Sequence, residues 1–200
     1  FFDKNGKETD YVLLSAFEGS LYDTSASKYL ANDEQVADFS TDKLCSIANV
    51  RPTSGLSQDL TRPKTEQLAK NRGDGWHQLN IKMASMEQLL MMIELGTMDV
   101  QSAIGQGVTT IPDNGSYSCA SYTGSTSSLG NNTGMASATK DYTGTSQTAN
   151  GKVAISYRGV ENFYGSIWKF ASGMNIYGNG KMDGGMAYIC DDLAYAEGKN

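Results

Sequence analysis

The chain has 200 residues, enough to bury a core of its own, and a formal net charge of −6 from 16 Lys and Arg against 22 Asp and Glu. That balance, with no clustered basic face, argues against nucleic acid as a partner. No apolar run approaches the roughly 18 residues that suggest a membrane span, so membrane insertion is not expected. Three cysteines, Cys45, Cys119 and Cys190, form an odd and sparse set that reads as unpaired thiols of a protein made in a reducing cytoplasm. Opening at Phe1 with neither Met nor a signal region, the sequence is expected to be a piece of a longer chain.

In chain order, Asn5-Gly6 is a two-residue hairpin turn signal, followed by a strand from Tyr11 to Phe17 that Glu18-Gly19-Ser20 breaks. Positions 21–40 are polar and irregular and read as a surface excursion anchored by Tyr22, Tyr29 and Phe39. Thr61 as N-cap, Pro63 in the first turn and Gly73 past the end predict a short helix held by Leu68. A second helix is predicted from the capping box Ser85-x-x-Gln88 to Leu95, with Gly96 as terminator. Its apolar residues, Leu90 among them, cover most of the circumference, which predicts a buried helix. Between the helices, Trp76, Leu79 and Ile81 supply further apolar contacts.

From Asp113 to Gly151 the composition shifts to Ser, Thr, Gly and Asn with Tyr117, Tyr122 and Tyr142 interspersed. A flexible linker and a set of ordered loops are both compatible with that composition; the tyrosines favour loops, held at their borders by Val108, Ile111, Met135 and Val153. The stretch after it, VAISYRGVENFYGSIWKFASGMNI, is the densest apolar and aromatic segment of the chain. Val153, Ile155 and Tyr157 alternate with Ala154, Ser156 and Arg158, predicting a strand with one buried face. A turn-rich stretch 159–165 follows, and then Ile167, Trp168 and Phe170 predict a second buried segment. Tyr177-Gly-Asn-Gly-Lys181 reads as a hairpin turn and Met186–Cys190 as a last strand.

Asn162, Gly165, Ile167, Trp168 and Phe170 resemble the Gly-Asn-Val-Trp-Glu-Trp region of the C-type-lectin-like fold in the formylglycine-generating-enzyme and sulfatase-modifying-factor superfamily, with Ser166 where Asn is usual and Lys169 where Glu is usual. That superfamily includes the variable proteins of diversity-generating retroelements. Met83-Ala-Ser-Met-Glu-Gln-Leu-Leu90 resembles the helix that precedes that region in those proteins, in the same order and at similar spacing. The segment ISYRGVENFYGSIWKF is also similar to tail-fibre and surface proteins of gut-bacterial phages and prophages. The resemblance implies an α+β, C-type-lectin-like domain over residues 1–200, with two helices, a twisted antiparallel sheet, long irregular loops and a loop insertion at about 113–151. The core expected from the apolar patterning is Trp76, Leu90, Ile155, Ile167, Trp168 and Phe170.

The chemistry expected of such a domain is decided largely by what the residues leave out. His77 is the lone histidine, so neither a zinc cluster nor a histidine-based triad with a nucleophile elbow is signalled. Asp191 and Asp192 are adjacent and not facing, the wrong arrangement for glycoside hydrolysis. The cysteine pair by which formylglycine-generating enzymes hold copper finds no match at Cys119 or Cys190, and the calcium triplets of true C-type lectins do not occur, Glu161-Asn162 lacking the proline. The expectation is therefore a non-enzyme without cofactor or metal. Tyr117, Tyr122 and Tyr142 with Asn131 and Asn132 are the candidate ligand contacts, since tyrosine offers large contact area at low entropy cost while Ser, Gly and Asn adapt. The resemblance implies host attachment through a glycan or protein receptor, by a domain on a virion or extracellular surface made in a bacterial cytoplasm and able to self-associate. The alternative is a structural virion component, in tail, baseplate or head decoration, contacting neighbouring subunits.

Overall fold

The computed structural model describes residues 7–30, 37–53, 60–110, 120–181 and 184–190. The Asn5-Gly6 turn, Ile111, Tyr117, Cys119, Asp191 and Asp192 lie outside these residues. Among the described residues three helices and ten short strands, all paired antiparallel, make the fold α+β.

The first sheet holds β1 (Gly19–Asp23), β2 (Lys28–Tyr29) and β3 (Lys43–Ser46) in the order β2-β1-β3. The strand expected at Tyr11–Phe17 is therefore displaced to the residues expected to break it. Gly19 is the reason: it lies against Leu44 of β3, where an added Cβ would stand 2.7 Å from Leu44 Cδ1. The residues expected as a surface excursion instead supply Leu21 and Leu30, which pack with Leu68 of α1 (Arg62–Lys70) and with Phe39, Leu44 and Leu60. Thr61 precedes α1 in extended conformation and Pro63 sits in its first turn, although the Thr61 side chain makes no capping bond. Past the helix, His77 Nδ1 lies 2.6 Å from Glu66 Oε1 while Gln78 N–H donates to Glu66 Oε2.

Helix α2 runs Ile81–Leu95, five residues longer at its start than a capping box with Ser85 as N-cap predicts. Asn80 is its N-cap, the side chain accepting from Lys82 N–H, and Ile81 N–H donates to Ser172 O, so a tertiary contact sets the start. Gly96 ends it in the left-handed conformation, as its sequence position implies. The helix is not buried all round: its buried residues are Glu87 and Met91, and Leu89, Leu90 and Ile93 face outward. Short α3 (Val100–Ile104) follows, capped by Asp99.

Met91, Ile104, Ile155 and Tyr157 form a second core with Leu95, Val100, Phe163 and Tyr164. Here β7 (Ile155–Tyr157) is the middle strand of a sheet ordered β4-β7-β8, with β4 at Gly134–Met135 and β8 at Val160–Glu161. Both faces of β7 are buried, Ala154 and Ser156 included, where one buried face was expected. Loops cover the second face: Ala154 N–H donates to Thr139 Oγ1 and Ala136 N–H to Ala154 O.

The segment around these loops leaves and returns at one point, since Thr109 and Thr110 N–H both donate to Gly151 O. Its described part, 120–151, carries β4, the pair β5 (Thr139–Lys140) and β6 (Ser146–Gln147), and a 3-10 turn at Ser127–Leu129. It binds the first sheet's end through Thr123, whose N–H donates to Val50 O and whose hydroxyl lies 2.7 Å from Ile47 O. Val108 and Val153 are buried at its borders, whereas Met135 is exposed.

The expected core needs correction at four positions: Trp168 is 96% exposed, and Trp76, Leu90 and Phe170 are about half exposed, while Ile167 is partly buried and Ile155 fully buried. The chain reverses at Gly165 and Ser166, both at positive φ, and beyond it the ammonium of exposed Lys169 pairs with buried Glu18 at 2.9 Å while Trp168 stands outside. Trp76 lies beside Arg72 with the guanidinium 4.3 Å from its ring centroid. Replacing Trp168 by Ala is therefore expected to shift the thermal midpoint by no more than about 1–2 °C, the range of an exposed substitution. A calorimetric loss of about 3 kcal/mol, the cost of a buried tryptophan, would place it in a core instead.

The last hairpin, β9 (Met174–Lys181) and β10 (Gly184–Ile189), pairs Met186 with Tyr177 and Tyr188 with Asn175. The turn expected at 177–181 lies inside β9, and the strands continue three residues beyond Gly178 with an irregularity between Gly184 and Gly185.

Candidate functional site

An open polar cleft of about 510 Å³ is lined by Glu94, Asn131, Asn132, Thr133 and Arg158. Three separate elements bring these residues together: the end of α2, the loop after the 3-10 turn, and the connection between β7 and β8.

That connection is two residues long, Arg158-Gly159, because Tyr157 pairs with Val160. Both have positive φ, 49° and 90°, the pattern of a primed hairpin turn. Such a turn favours Asn or Gly at its first position, so Arg158 sits in a conformation that costs an L residue about 1–3 kcal/mol. Gly159 is required twice over, since a Cβ there would also meet Asn131 Oδ1 at 3.0 Å. Two contacts hold Arg158 in place: its N–H donates to Thr133 Oγ1 at 3.3 Å and its Nε donates to Glu94 Oε2 at 2.7 Å, an oxygen that Tyr157 Oη also holds by donating to it at 2.7 Å.

Glu94 is itself misplaced by local rules, because a carboxylate in the last turn of a helix faces the negative end of the macrodipole. Hydrogen bonds from Arg158 and then Tyr157 hold its carboxyl below the usual range, so it is ionised and accepts. Burial and the bond to Glu94 push the Tyr157 phenol up to about 12, which keeps it a donor. Two residues that each break a local preference, meeting in one cleft, mark a site at which tertiary structure overrides propensity.

Opposite this pair, Gly130 at φ 57° and ψ −124° swings the chain out of the 3-10 turn. Asn132 Nδ2 donates back to Leu129 O at 2.9 Å, and Thr133 Oγ1 receives Arg158 N–H. The Asn131 amide is exposed at the rim. The cleft thus offers acceptors at Glu94 and Asn131, donors at the Arg158 guanidinium and the two amides, and no net charge across the Glu94–Arg158 pair. One ionised carboxylate lines it, an acceptor with no proton to give at neutral pH. That equipment suits a neutral ligand dense in hydroxyl groups.

Of the candidate contacts read from the sequence, Asn131 and Asn132 line this cleft. Tyr122 and Tyr142 do not. Tyr122 lies under the Arg51 guanidinium, 5.0 Å from its ring centroid, and donates its N–H to Lys140 O, so its ring is spent on packing the segment. Tyr142 is half-buried beside the Asp141 turn, where the Asp141 carboxylate accepts from Thr143 and Thr145. Sequence reasoning missed Glu94, Thr133 and Arg158. The available signal was an Arg-Gly pair where a hairpin turn would favour Asn-Gly, between two apolar strand segments.

Glu161 and Asn162 do not face the cleft. Glu161 is buried and bonds the loop 37 residues upstream, accepting from Gly124 N–H, Thr126 N–H and Thr126 Oγ1, each at 2.7 Å. Asn162 Nδ2 donates to Glu18 Oε2 at 3.3 Å. Among the described residues no three His, Cys, Asp or Glu side chains gather as metal ligands, and no helix is long and apolar enough to cross a membrane. Compared with family models, curated proteins and solved structures, the chain matches none.

Proposed function

We propose that this chain is a non-catalytic binding domain that holds a hydroxyl-rich surface ligand, a glycan first of all, in the cleft of Glu94, Asn131, Asn132, Thr133 and Arg158. The observation that carries the reading is the strained Arg158, fixed by Glu94 and Thr133 with its guanidinium turned to an open polar cleft. The resemblance of the ISYRGVENFYGSIWKF segment supports a C-type-lectin-like domain on a phage tail fibre or similar surface protein, mediating host attachment. The test is a glycan array and a host-cell binding assay on the intact chain. Arg158→Ala and the double variant Asn131→Ala/Asn132→Ala are expected to weaken binding at least tenfold with thermal midpoints within about 2 °C of the parent. Undiminished binding by both variants would remove the cleft from the function.

A second reading, a structural virion component, is favoured by a different observation. The hairpin β9–β10 exposes Ile176, Tyr177, Met186, Tyr188 and Ile189, a larger apolar display than an isolated two-stranded ribbon normally carries in water. Saturable assembly with virion proteins, and no cell or glycan binding, would favour that reading.

A further inference from the structure

A second pocket lies on the first sheet. Tyr22 of β1 is in register with Tyr29 of β2 and with Lys43 of β3, so the three side chains form a row on one face, and Cys45, two residues beyond Lys43, shares it. The Tyr22 and Tyr29 rings pack edge to face with centroids 5.1 Å apart. Arg72, just past α1, closes the row: its Nη1 donates to Cys45 Sγ at 2.7 Å, and its guanidinium is fixed on the other side against the Trp76 ring. Tyr22, Tyr29, Lys43, Cys45 and Arg72 together line a pocket of about 240 Å³.

Its charge is unbalanced. Two cations line it and no carboxylate does, in a chain whose net charge is −6. Among the described residues neither Lys43 nor Arg72 is in an ion pair, and neither tyrosine hydroxyl is hydrogen-bonded within the row. Asp42, next to Lys43 in sequence, points elsewhere, its two oxygens accepting from Thr24 N–H and Asp38 N–H. Two like charges converging on one pocket repel, and a bound anion turns that repulsion into two charge-assisted contacts. The guanidinium is already oriented by Trp76 and Cys45, so little side-chain freedom remains to be lost on binding.

The geometry points to an anion-binding site here, separate from the Arg158 cleft, that takes one carboxylate or sulfate group of a small organic ligand such as an acidic sugar. Arg72 and Lys43 receive the oxyanion, the Tyr22 and Tyr29 hydroxyls donate to it or to neighbouring hydroxyls, and the tyrosine rings cover the ligand's apolar face. The volume fits a single ring and not an oligomer.

Titrating the intact chain with glucuronate, glucose 6-sulfate and glucose, followed by NMR shifts of residues 20–30 and 43–46, tests the assignment. Saturable binding is expected for one or both anions at least fivefold tighter than for glucose, weakening as salt rises. Whichever anion binds tighter identifies the group. Lys43→Gln, on the half-buried edge strand β3, is expected to weaken the anion at least fivefold at an unchanged melting temperature. Arg72→Lys, which keeps the charge but loses the planar fork, is expected to weaken it as well. Equal affinity for glucose, or anion affinity indifferent to Lys43→Gln, would overturn the assignment. Loss of glycan binding in Arg158→Ala with retention of glucuronate binding would show the two sites to be independent.

Discussion

Replacing Glu161 by Ala is expected to destabilise the fold by about 3 kcal/mol, a fall in melting temperature on the order of 6–12 °C. Glu161 is 3% exposed and its carboxylate accepts three hydrogen bonds at 2.7 Å from Gly124 and Thr126. Removing it strands two backbone N–H groups and a hydroxyl in a buried loop, and each orphaned donor costs about 1–3 kcal/mol. Part of that loss is returned, because burial pushes the Glu161 carboxyl up in spite of the bonds from Thr126 and Gly124. The sign follows: a raised value in the fold means that this ionisation opposes folding as pH climbs through it, so Glu161 organises the loop at some cost in charge burial. In the Ala variant the segment between Ser125 and Thr148, tied down by Glu161 in the parent, is expected to become the first site of limited proteolysis. An unchanged denaturation midpoint, with proteolysis as slow as in the parent, would show that Thr123 and β4 hold the segment without it.

The second large effect is expected at Glu87. This residue is 4% exposed on the buried side of α2, where desolvation raises its carboxyl from 4.5 to about 7. In the fold the proton is retained up to about pH 7, whereas in the unfolded chain it leaves near 4.5. The native state therefore binds more protons between those values. The stabilising contribution is complete below pH 4.5 and is lost as pH rises to about 7, a change of about 3 kcal/mol. Glu87→Met keeps the volume and removes the ionisation, so the variant is expected to match the parent near pH 4 and to exceed its stability by about 3 kcal/mol at pH 8. Comparing the two proteins isolates this group from carboxyls that shift the other way, such as Glu94 and Asp141. Parallel stability curves from pH 4 to 8 would mean that Glu87 reaches water.

Helix α1 was legible because its signals are local: Pro63 in the first turn and apolar Leu68 on one side suffice wherever the segment packs. The end of α2 was legible for the same reason, since Gly96 takes the left-handed conformation that other residues resist. Its start was not, because Asn80 is held by the bridge to Ser172, 92 positions away by their numbers. The strand at Ile155–Tyr157 showed its alternation, but the burial of Ser156 on its other face depends on loops from 136–139 that no periodicity announces.

Local chemistry in the sequence thus determined α1, the C-terminus of α2 and the strand at β7, and with them the α+β class; it singled out Asn131 and Asn132 as candidate ligand contacts, and both line the cleft. Tertiary structure alone decided which bulky residues became core. Trp168 is a large apolar residue, yet past the left-handed turn at Gly165-Ser166 the chain sets Lys169 to pair with Glu18 and Trp168 out to solvent. It also decided the site, because Glu94 and Arg158 are 64 positions apart and each violates the preference of its own element. Hydrophobicity and propensity are properties of single residues and short windows, whereas burial and charge pairing are settled by which distant segments meet.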